Sequence, residues 1–286
     1  MIRTPETVTA ALLRGRPLPE PGGSKRDRGD VLIVGGARKT PGAAALAGLA
    51  ALRVGAGRLT IGVAVSSAPA LAVSFPEAGV IDLEETEGGS VSASSIDRLR
   101  DSADTDCVLF GPGLDDIDET QALLAALVPA VGDETRVVLD AFALGALARD
   151  PGVVDGLRGR ILLTPNETEA ALLLDRDVDD LERDIPEIAE RYGAVVTCHG
   201  VIADQDGGLW RVEDGGPGLG TSGSGDVLAG ALAGLTGRGA DPATAALWAS
   251  YLHAQAGDRL AQRMGPLGFL ARELLDELPS LLATLS

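Results

Sequence analysis

The chain is short of lysine, histidine, cysteine and positive charge. Only Lys25 and Lys39 are lysines, both near the N-terminus, so any lysine-dependent chemistry has two candidates. Two histidines, His199 and His253, lack the spacing of a zinc site and suit no Ser–His–Asp order. Two cysteines, Cys107 and Cys198, lie at or beside apolar runs. They read as reduced core thiols, since no spacing supports a disulfide or a metal pair. Lys and Arg number 24 against 42 Asp and Glu, a net charge of −18. That excess argues against nucleic acid as a partner. An anionic ligand must then be met by local amides or single cations. No apolar run reaches membrane-spanning length, and Met1-Ile-Arg-Thr-Pro5 lacks the apolar core of a secretion signal. A soluble, cytoplasmic protein without a membrane partner is expected.

What the chain does have is apolar residues, 45% of 286, enough for a sizeable core. They fall in short continuous runs: 31–34, 58–63, 107–110, 136–140, 161–164 and 194–198, with shorter ones at 201–203 and 209–212. Helical stretches alternate with them: 41–54, about 119–131, one after 140, one after Pro165, then 226–235, 242–257 and 267–282. Short buried strands alternating with helices predict an α/β fold, a mostly parallel sheet covered on both faces. No linker or repeat interrupts the pattern, so one domain over 1–286 is expected. The Pro/Gly-rich start reads as an irregular arm over 1–24.

In such sheets ligands bind beyond the carboxyl ends of the strands. Gly35-Gly36, Gly111-Pro-Gly113, Asp140, Asn166 with Glu169, and His199-Gly200 all fall there. Gly35-Gly-Ala-Arg-Lys-Thr40 is not a Walker A loop, because no glycine precedes Lys39. Its glycines suit close approach of backbone to a ligand. Gly111-Pro-Gly113 suits that or a plain turn. Asn166 and Glu169 have the spacing of a capping box. Glu169 also fits a carboxylate in the water shell of Mg²⁺. His253, on an apolar helix, reads as structural; His199, between a strand and Gly200, as a nucleotide contact.

The richest segment is Gly218-Leu-Gly-Thr-Ser-Gly-Ser-Gly-Asp226, running into Val227-Leu-Ala-Gly-Ala-Leu-Ala-Gly-Leu235. Ser or Asp at a helix start is commonly a cap. The bare amides of Gly223, Ser224 and Gly225 also suit an anion at the positive end of the helix. Asp226 in the same turn can then accept a proton from whatever attacks that anion. An anion hole beside a base is the equipment of phosphoryl transfer. Both readings stand on spacing alone.

Gly220-Thr-Ser-Gly-Ser-Gly-Asp-Val-Leu-Ala-Gly230 and Tyr251-Leu-His-Ala-Gln-Ala-Gly-Asp258 resemble the ADP/ATP-dependent NAD(P)H-hydrate dehydratases of the ribokinase-like superfamily. Val31-Leu-Ile-Val-Gly-Gly36, the 42–57 stretch and Phe110-Gly-Pro-Gly113 match in the same order. The resemblance implies a ribokinase-like three-layer α/β/α sandwich. It implies dehydration of hydrated NADH or NADPH, with ADP or ATP as phosphoryl donor and Mg²⁺ as cofactor. Asp226 would take the proton of the ring hydroxyl, with the 223–225 amides steadying the phosphoryl group. Ala43, Gly111, Gly113, Asn166 and Asp226 fall at substrate-contact positions. His199, Gly200, Val201, Ile202, Ala203 and Gly225 fall at adenine-nucleotide positions. Relatives suggest a homotetramer. Asn166 replaces a histidine of the family pattern, Phe142 an acid and His199 a lysine. The Asn-x-x-Glu pattern is also that of ribokinase-like small-molecule kinases, the rival activity. Bifunctional relatives add an epimerase domain, which is not expected in these 286 residues.

Overall fold

A computed structural model of the chain describes residues 4–20 and 22–285. It starts with a two-residue strand, β1 (Glu6–Thr7), and a short helix, α1 (Ala10–Arg14). Strands and helices then alternate through β2 (Asp30–Val34), α2 (Pro41–Arg53), β3 (Arg58–Ala64), α3 (Ala68–Ser74), β4 (Gly79–Leu83) and α4 (Ile96–Ala103). The middle of the chain gives β5 (Cys107–Phe110), α5 (Ile117–Leu127), β6 (Arg136–Leu139), α6 (Phe142–Arg149), β7 (Ile161–Leu163) and α7 (Glu167–Leu174). Then come α8 (Leu181–Tyr192), β8 (Ala194–Cys198), β9 (Val201–Ala203) and β10 (Leu209–Arg211). Three helices finish the chain: α9 (Ser224–Gly237), α10 (Pro242–Met264) and α11 (Ala271–Leu285).

The ten strands of the described residues join one sheet, in the order β1-β10-β9-β8-β7-β6-β5-β2-β3-β4. From β4 to β8 every pairing is parallel; β9 runs antiparallel to both β8 and β10. The mostly parallel sheet predicted from the buried runs is therefore present. Its cause is visible in the period of two. Val31 and Ile33 of β2 face one apolar layer, while Leu32 and Val34 face the other. Cys107 and Leu109 of β5 divide from Val108 and Phe110 in the same way. Neither face of these two central strands meets water, so they carry no alternating polar residues. Helices α2, α9, α10 and α11 cover the first face, and α4 to α8 the second.

Small residues let the first layer pack tightly. On α9, a Cβ at Gly230 would overlap the backbone of Ala47, and one at Gly234 would crowd Ala51, both on α2. Alanine and glycine on facing helices allow the two backbones to approach closely. That contact fixes the body of α9, whose first turn carries Asp226.

The N-terminal residues correct the sequence reading. Glu6 and Thr7 pair in parallel with Trp210 and Arg211, and Val8 and Leu13 are buried. The Trp210 indole donates to Glu6 at 3.2 Å, and the Trp248 indole donates to the Arg16 carbonyl at 2.9 Å. The Arg16 guanidinium lies 5.1 Å from the Trp210 ring centre. Within the expected arm, Glu6–Thr7 form an edge of the sheet and Ala10–Arg14 a helix, while 15–20 are irregular; residues 1–3 and 21 lie outside the described residues. Two indoles supply the reason, since each needs an acceptor once buried and the arm provides it.

Candidate active site

The parallel strands deliver their C-terminal ends to one edge, and the expected residues gather there. Gly35 follows β2, Gly111 follows β5, Asp140 follows β6, Thr164 follows β7 and His199 follows β8. Gly36 N–H donates to the Pro112 carbonyl at 2.8 Å, and Ala37 N–H to the Gly113 carbonyl at 2.8 Å. The Thr40 hydroxyl donates to Gly113 at 2.7 Å. A Cβ at Gly35 would overlap the Pro112 carbonyl oxygen, and one at Gly111, where φ is +130°, the Asp140 carbonyl oxygen. These glycines let backbones close on each other. The expected role for Gly35-Gly36, approach of a ligand, gives way to approach of a neighbouring turn. Gly113 has φ +73°, and a Cβ there would crowd the Thr40 carbonyl and Ala43 at the start of α2.

Three carboxyl groups share this edge. Asp140 is buried and accepts from the Thr164 hydroxyl at 2.7 Å. Burial pushes it up to about 7 against that hydrogen bond, and the charges of Asp226 and Glu169 push the same way. Burial raises Asp226 to about 6. Burial also raises Glu169, whose carboxylate accepts the Asn166 N–H at 2.9 Å. The Asn166 side chain accepts the Glu169 N–H in return, so the capping box is complete. After Asp140 the backbone turns through Ala141 at φ 53°, ψ −126°, a conformation that costs a non-glycine residue about 1–3 kcal/mol. Phe142, the next residue, is 41% exposed.

Helix α9 begins at Ser224, two residues earlier than expected, so Asp226 is its third residue. This corrects the anion hole. The Ser224 N–H is engaged by the Thr221 carbonyl at 3.2 Å. The N–H groups of Gly223, Gly225 and Asp226 have no acceptor among the described residues. Gly225 also differs from the packed glycines, because a Cβ there would meet nothing within 4 Å. The Asp226 carboxylate makes no hydrogen bond or ion pair among the described residues, so it is available as a base.

Beside this turn lies a cavity of about 690 Å³. Asn166, His199, Gly200, Gly220, Ser224 and Gly225 are among its walls. His199 and Gly200, at φ 46° and 80°, form the two-residue turn between paired Cys198 and Val201. Two positive φ values are the signature of a type I′ hairpin turn, and it holds His199 outward at the cavity rim. Val201, Ile202 and Ala203 are different. They are fully buried between β8 and β10 and do not line the cavity. Of the residues expected to meet a nucleotide over 199–203, only His199 and Gly200 reach the cavity, because sheet pairing on both sides removes the rest from the surface.

Ala43, Gly111, Gly113 and Asp226 do not line this cavity either. Ala43 and Gly113 pack together on the α2 side. Gly223 bridges the two regions: a Cβ there would crowd Leu46 of α2 and come within 3.8 Å of the Asp226 carboxylate. Asp226 thus stands between the cavity and the Ala43–Gly113 surface.

Sequence reasoning missed several cavity residues. Thr197 and Ser250 share a hydrogen bond at 2.9 Å in its wall. Asp258 accepts the N–H groups of Gly215 and Gly216 at 3.2 Å each, fixing its rim. His253, read as structural, lines the cavity and lies 2.9 Å from the Ser224 hydroxyl. The available signal was the helical spacing of 250, 253, 254, 257 and 258, one edge of α10.

A family model described as NAD(P)H-hydrate dehydratase matches residues 31–280. The chain belongs to the NAD(P)H-hydrate dehydratase family. An ADP-dependent (S)-NAD(P)H-hydrate dehydratase of Xanthomonas campestris pv. campestris is 45% identical over 96% of each chain. A bifunctional NAD(P)H-hydrate repair enzyme of Moorella thermoacetica is 40% identical over 97% of this chain, which spans 54% of that relative's length. Among solved structures, the ADP/ATP-dependent NAD(P)H-hydrate dehydratase of Bacillus subtilis, co-crystallised with ATP and Mg²⁺, superposes with a TM-score of 0.79. It is 26% identical, and the match covers 99% of each chain. The fold of this family member is the ribokinase-like three-layer α/β/α sandwich.

Proposed function

We propose that the chain is a nucleotide-dependent (S)-NAD(P)H-hydrate dehydratase, which restores NADH or NADPH from its hydrated form. The observation that carries this is Asp226: an unpaired carboxyl beside unpaired helix-terminal amides, between a nucleotide-sized cavity and a second glycine-lined surface. The cavity takes the adenine nucleotide, with His199, Gly200 and Gly225 as contacts. The hydrated nicotinamide lies on the side of Ala43, Gly111 and Gly113, with Asn166 reaching it from the cavity wall.

Asp226 accepts the proton of the ring hydroxyl as that oxygen attacks the terminal phosphorus. The Gly223, Gly225 and Asp226 amides meet the charge on the transferring group. ADP is the donor, in keeping with the names of the relatives, and leaves as AMP. The ring nitrogen then expels phosphate, and loss of a proton from the adjacent ring carbon returns the double bond. Hydroxide is a poor leaving group and phosphate a good one, which is why a phosphoryl-transfer site can serve a lyase.

Among the described residues no group of three His, Cys, Asp or Glu could hold a metal directly. Yet Asp140, raised chiefly by burial, is raised further by the charges of Asp226 and Glu169. A crowd of carboxylates short of counter-charge fits a hydrated Mg²⁺ brought in on the nucleotide, with Glu169 and Asp140 in its water shell. Bound there, Mg²⁺ would neutralise phosphate charge. The continuous ten-stranded sheet supports one catalytic domain. A cytoplasmic homotetramer completes the proposal; among the described residues no helix is long and apolar enough to cross a membrane.

The complete Asn166–Glu169 capping box favours a second reading, a ribokinase-like kinase for a sugar or vitamin precursor. One assay separates the two. The protein is mixed with hydrated NADH, Mg²⁺ and ADP or ATP, and reduced-nicotinamide absorbance is followed. Its recovery supports the dehydratase. Nucleotide consumption only with a sugar or pyrimidine alcohol selects the kinase.

A further inference from the structure

Helix α10 presents a single edge to the cavity, and that edge holds three separate walls. Ser250 bonds Thr197 of β8, and Asp258 holds the Gly215-Gly216 rim. Between them His253 reaches the first residue of α9. Its Nε2 lies 2.9 Å from the Ser224 hydroxyl and 3.0 Å from the Ser224 carbonyl oxygen. A carbonyl oxygen only accepts, so the Nε2 hydrogen is the one that contact selects. Burial lowers His253 to about 4, which keeps the ring neutral.

The turn that His253 touches is loose by composition. Gly220, Gly223 and Gly225 lie within six residues, and glycine has the most conformational freedom to lose. Gly220 and Gly225 have no packing partner at the Cβ position. Without an anchor, ordering this turn would fall on ligand binding. The contact with Ser224 supplies an anchor within the protein.

We propose that His253 is a positioning residue, which pre-orders the Ser224–Asp226 turn through Ser224 and so sets nucleotide affinity. This rests on the reading of the cavity as the nucleotide site. A purely structural histidine would lower the melting temperature on removal and leave affinity per folded molecule unchanged.

Calorimetric titration of the purified protein with ADP, beside steady-state kinetics, tests this. His253→Ala is expected to weaken ADP binding about tenfold and raise its KM in parallel, with kcat at saturating ADP changed about threefold or less. His253→Gln, whose side-chain amide can donate from near the Nε2 position, is expected to recover most of the affinity. Should His253→Ala not fold, His253→Asn, too short to reach Ser224, carries the same expectation. Wild-type affinity in the Ala or Asn variant, with only the melting temperature lowered, overturns the assignment. A wild-type chain that binds neither ADP nor ATP overturns the nucleotide reading itself, and this inference with it.

Discussion

Two glycine-rich margins face each other across the site, and their glycines are there for opposite reasons. At Gly35, Gly111 and Gly113, side-chain space is filled by another turn, and the backbones are locked by hydrogen bonds of 2.7–2.8 Å. At Gly220 and Gly225, the space is open. The first margin needs glycine to fold. At these two positions nothing internal needs glycine, so the need lies with what enters, whereas Gly223 between them is packed against Leu46 at φ +89°. The sequence motifs look alike; only the neighbour of the absent Cβ tells them apart.

The largest effect expected from disturbing the open margin is chemical. Asp226→Asn should cut turnover by about a thousandfold while nucleotide binding persists. Near-normal turnover in that variant would remove Asp226 as the base. Next in size is the packed margin. Gly111→Ala places a Cβ on the Asp140 carbonyl at a positive φ, and should cost about 3 kcal/mol or more of stability by denaturant titration. Gly225→Ala is the counterpart. Its fold should be intact or more stable by about 0.5 kcal/mol, with the KM for ADP raised about tenfold. If both glycine variants merely destabilise, the contrast between the margins fails.

The smallest expected effect is on pH. Folded Asp226 titrates near 6, above the usual 3.8 for aspartate. The folded state therefore binds its proton more tightly than the unfolded state. The stability this gives is full below about 4 and is lost as pH rises through 6. At pH 8, Asp226→Asn should melt about 2 °C above the wild type, a gap that closes toward pH 4. Turnover should run the other way, rising through pH 6 as the carboxylate forms. A wild-type rate unchanged between pH 5 and 8 would count against an ionising base of this pKa.

Most of the sheet was legible because its strands are buried on both faces and so stand out as unbroken apolar runs. Ala194–Cys198 and Val201–Ala203 emerge with the expected ends. β1 left no signal, since two residues cannot display a period and its pairing depends on Trp210, far along the chain. Asp226, Gly225, Asn166 and His199 were legible as site candidates from glycine spacing and strand ends. The role of His253 was not. Its partner Ser224 lies 29 residues away on another helix, and nothing local distinguishes a core histidine from one that anchors a turn. One of the three free amides changed, Asp226 for Ser224, for the same reason: whether Ser224 N–H is spent on Thr221 depends on where the helix begins.

The clasp between Glu6 and Trp210 joins groups 204 positions apart. A ribosome adding about 5–20 residues per second needs about 10–40 seconds to span that interval. During synthesis the opening dipeptide therefore waits, already outside, for the strand it will border. When Trp210 emerges, its open side meets a partner from the same molecule at once. A rim that other nascent chains could have used for aggregation is covered as soon as it is made.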